Sequence, residues 1–116
     1  MHFKTSCSKG LFAEFLARMY LRLHRFKIVK SRYITGRNTN RAEIDIIARR
    51  GNLLAFIEVK RRQSIEVGFA AISHNQAARL RRAAETYMSQ VGWCGDARFD
   101  VIIVCGAKIH WVKNAI

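Results

Sequence analysis

Arg41-Ala42-Glu43-Ile44-Asp45-Ile46-Ile47-Ala48-Arg49-Arg50-Gly51-Asn52-Leu53-Leu54-Ala55-Phe56-Ile57-Glu58-Val59-Lys60-Arg61 reads as two strands, Ala42 to Arg49 and Leu53 to Arg61, joined at Arg50-Gly51-Asn52. Gly51-Asn52 suits a two-residue hairpin turn, because these residue types accept the positive φ that such turns require. Paired residues then have numbers adding to 103, as 51 and 52 do, so Asp45 faces Glu58 and Glu43 faces Lys60. Directly opposed Cβ atoms lie roughly 4.5 to 5.5 Å apart, where like charges destabilise a sheet. One face carries Ala42, Ile44, Ile46, Ala48, Leu53, Ala55, Ile57 and Val59; the other carries Ile47, Leu54 and Phe56 beside the charged group. Apolar residues on both faces indicate central strands covered on both sides. A three-residue turn would slip the register by one and send the two acids to opposite faces.

Two facing carboxylates in a covered sheet need a proton or a cation, since an unpaired buried charge costs several kcal/mol. A divalent cation with oxygen ligands is the simplest answer. Mg²⁺, with Mn²⁺ as a substitute, keeps several waters and takes one or two carboxylates plus substrate phosphate oxygens. Lys60 stands two residues after Glu58, hence on the same face. An ammonium there can orient or help deprotonate an attacking water and offset charge building on a phosphate. Taken alone, Glu-x-Lys on a strand would indicate only a cross-strand salt bridge from Glu43 to Lys60; the opposed Asp45 changes that balance.

Working outward, Leu11, Phe12, Phe15, Leu16, Met19, Tyr20 and Leu23 recur at helical spacing and predict an amphipathic helix from Leu11 to about Phe26. Lys27 to Thr35 is β-branched and aromatic enough for a strand, and residues 36–40 read as a polar loop. After a loop around Ser64 to Gly68, Ser73-His74-Asn75-Gln76 has the form of a capping box opening a helix to about Gln90. Arg98 to Cys105 and Lys108 to Lys113 then read as strands around Gly106-Ala107. The order α-β-β-β-α-β-β specifies a mixed α/β domain, an antiparallel meander flanked by helices. The second helix offers a crossover that sets the fourth strand parallel to a neighbour. No proline, repeat or linker divides residues 1–116, so one domain is expected.

Composition narrows the functional classes. Lys and Arg number 21 against 8 Asp and Glu, a formal +13, with 50% hydrophobic residues on a globular composition. Residues 1–41 hold ten bases and one acid, whereas residues 42–70 hold five bases and four acids. A basic shell around a local acidic cluster is what a nucleic-acid enzyme needs: a field that attracts phosphates, and carboxylates that hold a cation where they arrive. No run approaches the roughly 20 apolar residues of a membrane span, and Glu14, Arg18 and Arg22 interrupt any signal-peptide core. Cys7, Cys94 and Cys105 form no CxxC spacing and His2, His24, His74 and His110 no ligand spacing, which disfavours a disulfide framework and a zinc enzyme. A cytoplasmic protein with no membrane partner is expected.

Glu14 on the first helix, Arg41-Ala-Glu-Ile-Asp45, Phe56-Ile-Glu58-Val-Lys60-Arg61, Phe69 with its helix, and Arg98-Phe-Asp100-Val together resemble the YraN-like family of small uncharacterised bacterial proteins. That family belongs to the restriction-endonuclease-like PD-(D/E)XK superfamily and is similar to archaeal Holliday junction resolvases. The resemblance implies a restriction-endonuclease-like mixed sheet and a metal site of Asp45, Glu58 and the Val59 carbonyl, with Lys60 as the catalytic lysine. It also matches Glu14 to an acidic residue that reaches the site from the first helix; an ordinary i,i+4 pair with Arg18 is the alternative. Where relatives commonly carry Lys at the start of the second long helix, this chain has Gln76. Gln76 is assigned first to the capping box and second to nucleic acid or water.

The expected function is Mg²⁺-dependent cleavage of a phosphodiester in structured or branched DNA, by in-line attack of water. Asp45, Glu58, Lys60 and Glu14 are the candidate catalytic residues, and Arg41, Arg61, Gln76 and Arg79 the candidate nucleic-acid contacts. Asp100 is expected to pair with a nearby arginine, and Trp93 and Trp111 to serve the core or an interface. A homodimer would supply two sites for a symmetric junction. The rival readings are a noncatalytic nucleic-acid-binding module and a structural partner in a repair or ribosomal complex.

Overall fold

A computed structural model describes residues 6–36, 41–62 and 74–115. The elements are α1 (Ser6–Leu23), β1 (Lys27–Thr35), β2 (Ala42–Arg50), β3 (Leu53–Arg61), α2 (His74–Val91), β4 (Asp96–Cys105) and β5 (Lys108–Val112). They follow the expected order. The strands form one five-stranded sheet in the order β1-β2-β3-β4-β5, with β3 and β4 parallel and every other pair antiparallel. The crossover through α2 is what sets β4 parallel to β3, since a parallel neighbour cannot be reached by a tight turn. Phe69, Ser73 and the loop around 64–68 lie outside the described residues.

Each face of the sheet is covered by one helix. Ala13, Ala17 and Leu21 of α1 pack with Phe26 onto Ile46, Ala48, Ala55, Ile57, Ile102 and Val104. On the opposite face, Leu80, Ala83, Ala84 and Tyr87 of α2 pack onto Ile47, Leu54, Phe56 and Tyr33. The small residues at 13, 17, 83 and 84 let both helices approach closely, and β2 and β3 are buried on both sides as their composition requires. α1 ends at Leu23, three residues before the expected Phe26. Arg25 adopts a left-handed φ of 70°, the amide of Phe26 donates to the Leu21 carbonyl at 3.0 Å, and Phe26 turns into the core.

The hairpin turn is the two-residue one. Arg50 pairs with Leu53, Gly51 has φ 59° and Asn52 is not in the left-handed region, the pattern of a turn with glycine at its first central position. The ladder then runs Arg49 to Leu54, Ala48 to Ala55, Ile47 to Phe56 and Ile46 to Ile57, in the expected register. Asn52 also accepts a hydrogen bond from the Asp96 amide at 2.8 Å, tying the turn to the start of β4.

Candidate active site: a carboxylate pair where the sheet opens

The β2–β3 ladder stops at Ile46 and Ile57, one step before Asp45 and Glu58. In place of main-chain pairing, Asp45 Oδ2 accepts the Val59 N–H at 2.8 Å. On the other side of β2, Ser31 pairs with Ile46 and Tyr33 with Ile44, while Arg32 between them has a left-handed φ of 57°. β2 therefore loses regular pairing on both sides at Asp45. The alternation of faces changes there as well: Ile46 and Ala48 pack on the α1 side, but Ile44 and Ala42 join Ile47 on the α2 side. This corrects the expectation that Ala42 and Ile44 share the face of Ile46. The carboxylate has taken a main-chain donor, and the parted strands leave a cleft instead of a continuous sheet.

Asp45 and Glu58 face that cleft together, as the register requires. Glu58 Oε2 receives Lys60 Nζ at 3.1 Å and Gln76 Nε2 at 3.0 Å, and the Glu58 and Lys60 side chains are only 11% and 12% exposed. Burial, then the Glu58 charge, pushes the Asp45 carboxyl up to about 8, against the opposing Val59 hydrogen bond. Burial also raises Glu58, opposed by the Lys60 ammonium and by hydrogen bonds from Lys60 and Asp45. Each carboxyl influences the other's titration, and Asp45 keeps its proton up to about 8.

Glu43 does not meet Lys60. Its carboxylate lies 4.0 Å from Arg32 Nη1 and 3.8 Å from Arg41 Nη2, because the ladder that would have opposed Glu43 and Lys60 has already ended. Glu14, 8% exposed, is gripped through both oxygens by Arg32, with Nε to Oε1 at 3.1 Å and Nη2 to Oε2 at 3.4 Å. The partner is thus Arg32 on β1 rather than Arg18. The Glu14 charge also acts on Asp45, so α1 contributes to the field of the pair. Arg32 in turn is held more basic by Glu14 first, then by Glu43 and Asp45. Sequence reading missed Arg32; the β1–β2 register, which sets it against Asp45, was the signal that identifies it.

Arg41, Glu43, Asp45, Glu58, Gln76 and Arg79 line a common cleft of about 300 Å³. Gln76 reaches Glu58 from the first turn of α2, a contact the capping assignment did not foresee. Val59 enters through its amide, and its side chain packs on the α1 side. Arg61, exposed and paired with Val104, alternates to that same α1 side and does not line the cleft. Asp100 is fully buried on the α1 face, where Arg98 grips it through two 2.9 Å hydrogen bonds and Trp111 Nε1 and the Asn114 amide add two more at 2.9 Å. It is a structural anchor, as expected. Trp93 and Trp111 pack against the two cores, also as expected.

Among the described residues no group of three His, Cys, Asp or Glu side chains converges as a closed metal cage. The donor set of the cleft is two facing carboxyls, Asp45 keeping its proton up to about 8, which suits a hard cation that replaces that proton and completes its shell with water and substrate oxygens. No helix among the described residues is long and apolar enough to cross a membrane.

The family model described as uncharacterised protein family UPF0102 matches residues 13–104. A UPF0102 protein of Shewanella loihica is 41% identical over 112 residues, covering 93% of each chain. One from Alkaliphilus metalliredigens is 36% identical over 116 residues, covering 95% of this chain and 98% of its own. One from Paramagnetospirillum magneticum is 35% identical over 99 residues, covering 83% and 76%. The matched segment contains Glu14, Arg32, Asp45, Glu58, Lys60 and Gln76, the residues that build the cleft and its supports. The chain belongs to uncharacterised protein family UPF0102, the YraN family.

Proposed function

We propose that this protein is a metal-dependent nuclease that hydrolyses phosphodiester bonds in structured or branched DNA. The observation that carries the reading is the meeting of Asp45 and Glu58 at the opening of the sheet, with Lys60 on Glu58, in a chain of formal charge +13. A structural salt bridge would need one acid and one base; here two acids are buried together and compete for a proton. The mixed sheet, the Asp then Glu-x-Lys order and the acid from α1 fit what the family resemblance implies.

Asp45 and Glu58 would hold Mg²⁺ or Mn²⁺, which when bound polarises a phosphoryl oxygen and makes water a better nucleophile. The Val59 amide fixes the rotamer of Asp45, and Gln76 and Lys60 fix that of Glu58. The Lys60 ammonium, held on Glu58, orients the attacking water and offsets charge on the phosphate in flight. Arg41 and Arg79 at the cleft rim bind the phosphate backbone. Arg32 on Glu14 and Arg41 beside Glu43 offset these two acids, keeping a phosphate from meeting four uncompensated carboxylates at once.

Thermal unfolding with increasing Mn²⁺ tests the site apart from turnover. At a hundredfold excess over Kd, a bound ion should stabilise the native state by about 2.7 kcal/mol. Asp45→Asn and Glu58→Gln should lose most of that gain. A wild-type Tm unmoved by Mn²⁺ would remove the metal from the proposal and favour the noncatalytic nucleic-acid-binding reading.

A further inference from the structure

A second cavity opens on the α2 face, at the far end of that helix from the carboxylate cleft. It encloses about 510 Å³, within the range of small-molecule and cofactor sites. Its walls include Lys27 and Val29 of β1, Arg49 of β2, Tyr87 of α2 and Trp93, and none of its lining residues is acidic. The register of β1 shifts between Ile28 and Lys30, a bulge that turns Val29 outward at the rim.

Two features mark it as more than a packing defect. Tyr87 is 8% exposed, its ring packed edge-on against Tyr33 and Phe56 at 5.3 and 6.3 Å, yet its hydroxyl makes no hydrogen bond among the described residues. By contrast, Tyr33 beside it donates to Gln90 Oε1 at 3.0 Å. No buried side-chain oxygen or nitrogen among the described residues lacks a partner, so the Tyr87 hydroxyl meets solvent at the cavity wall, where a ligand's donor or acceptor can replace water. The second feature is the Arg49 guanidinium, held over the Trp93 ring at 4.8 Å with Nε tethered to the Gly51 carbonyl at 3.0 Å. That tether leaves the two terminal nitrogens for an anion.

An aromatic wall, an accessible hydroxyl and two cations without an acid are the complement of a nucleotide: a flat heterocycle with a polar edge, joined to a phosphate. We infer that this cavity binds one unpaired nucleotide of a nucleic-acid strand, with the base against Trp93 and Tyr87 and the phosphate on Arg49 and Lys27. Gln76 and Arg79 at one end of α2 and Val91 at the other are separated by 12 to 15 helical residues. At 1.5 Å per residue that is about 20 Å, roughly the axial length of six base pairs. The site therefore reads single-stranded character at a fixed distance from the cleft and selects substrates with an unpaired segment. The inference rests on the proposed nucleic-acid partner but not on cleavage.

The chain's tryptophans are Trp93 and Trp111, and Trp111 packs on the α1 face. Metal-free fluorescence titrations with (dT)₁₀, a blunt ten-base-pair duplex and dTMP separate the outcomes. (dT)₁₀ should quench wild-type emission at low salt, and Trp93→Phe should abolish the quench. Tyr87→Phe keeps the ring packing and should weaken (dT)₁₀ binding about 3- to 10-fold without lowering Tm. Binding of (dT)₁₀ with no Trp93 response, or unchanged affinity in Tyr87→Phe, overturns the inference while leaving the nuclease reading standing. Equal quenching by dTMP at matched concentration overturns a strand-borne ligand. Failure of both DNA probes to bind overturns the inference and the nucleic-acid reading together.

Discussion

The stability that Asp45→Asn confers on the metal-free protein should grow with pH. The folded protein holds on Asp45 a proton that the unfolded chain releases at the ordinary 3.8, and gives it up only near 8. Between those values the native state binds more protons than the unfolded one, so this carboxyl's contribution is intact below about pH 4 and is lost as pH rises through about 8. The gap from 3.8 to about 8, at ~1.36 kcal/mol for each pH unit, sets a ceiling of about 6 kcal/mol. The cleft is open to solvent, which relaxes part of that penalty, and about 2 to 3 kcal/mol is the expected loss. Asparagine is nearly isosteric with the protonated acid, can still accept the Val59 N–H and carries no charge. The variant should therefore match wild type within about 1 kcal/mol at pH 5 and exceed it by about 2 to 3 kcal/mol at pH 9. Urea denaturation in EDTA at pH 5, 7 and 9 reads this, since groups remote from Asp45 cancel in the comparison and any change at its neighbour Glu58 belongs to the response of the pair. A difference between the two proteins that is the same at pH 5 and pH 9 would refute the buried, proton-holding Asp45.

Arg32→Ala leaves Glu14 buried without its partner and should cost about 1 to 2 kcal/mol, kept low because the arginine itself is partly exposed. Arg32→Gly, relieved of the left-handed backbone, should be about 1 kcal/mol more stable than the alanine variant in chemical denaturation, and neither variant should bind Mn²⁺ more weakly, since each removes a positive charge beside the carboxylates. Asp100→Asn removes the charge that Arg98, Trp111 and Asn114 surround and should lower stability by about 3 to 5 kcal/mol, with an unaltered Mn²⁺ dissociation constant in the protein that still folds. Salt titrations of DNA binding should show slopes reduced by about 1 for Arg41→Gln and Arg79→Gln, and an unchanged slope for Arg61→Gln, which lies off the cleft.

Much of the site was legible because a hairpin is a local object. Gly51-Asn52 fixes the turn, the turn fixes the register, and a period of two then places Asp45 and Glu58 on one face. The parallel β4 was legible from the length of the crossover alone. What escaped was whatever depends on a departure from periodicity. Asp45 leaves the ladder to take the Val59 amide, so counting by twos misplaced Ala42 and Ile44 and paired Glu43 with Lys60. The clasp of Glu14 by Arg32 joins α1 to a left-handed residue in β1, and neither a helix repeat nor a strand repeat encodes such a contact. Gln76 looked like a cap because its spacing from Ser73 is that of one; only the packing of α2 over the sheet shows its amide reaching Glu58.

Cleavage of end-labelled branched and flap DNA, with Mg²⁺ or Mn²⁺ and across a broad panel of structures, tests the central claim most directly. Wild-type protein should cut at least one substrate, with the product absent in EDTA and reduced by two or more orders of magnitude in Glu58→Ala and in Lys60→Ala. Wild-type cleavage no greater than that of the Glu58→Ala, Lys60→Ala double variant would contradict a catalytic role for the Asp45–Glu58 cleft.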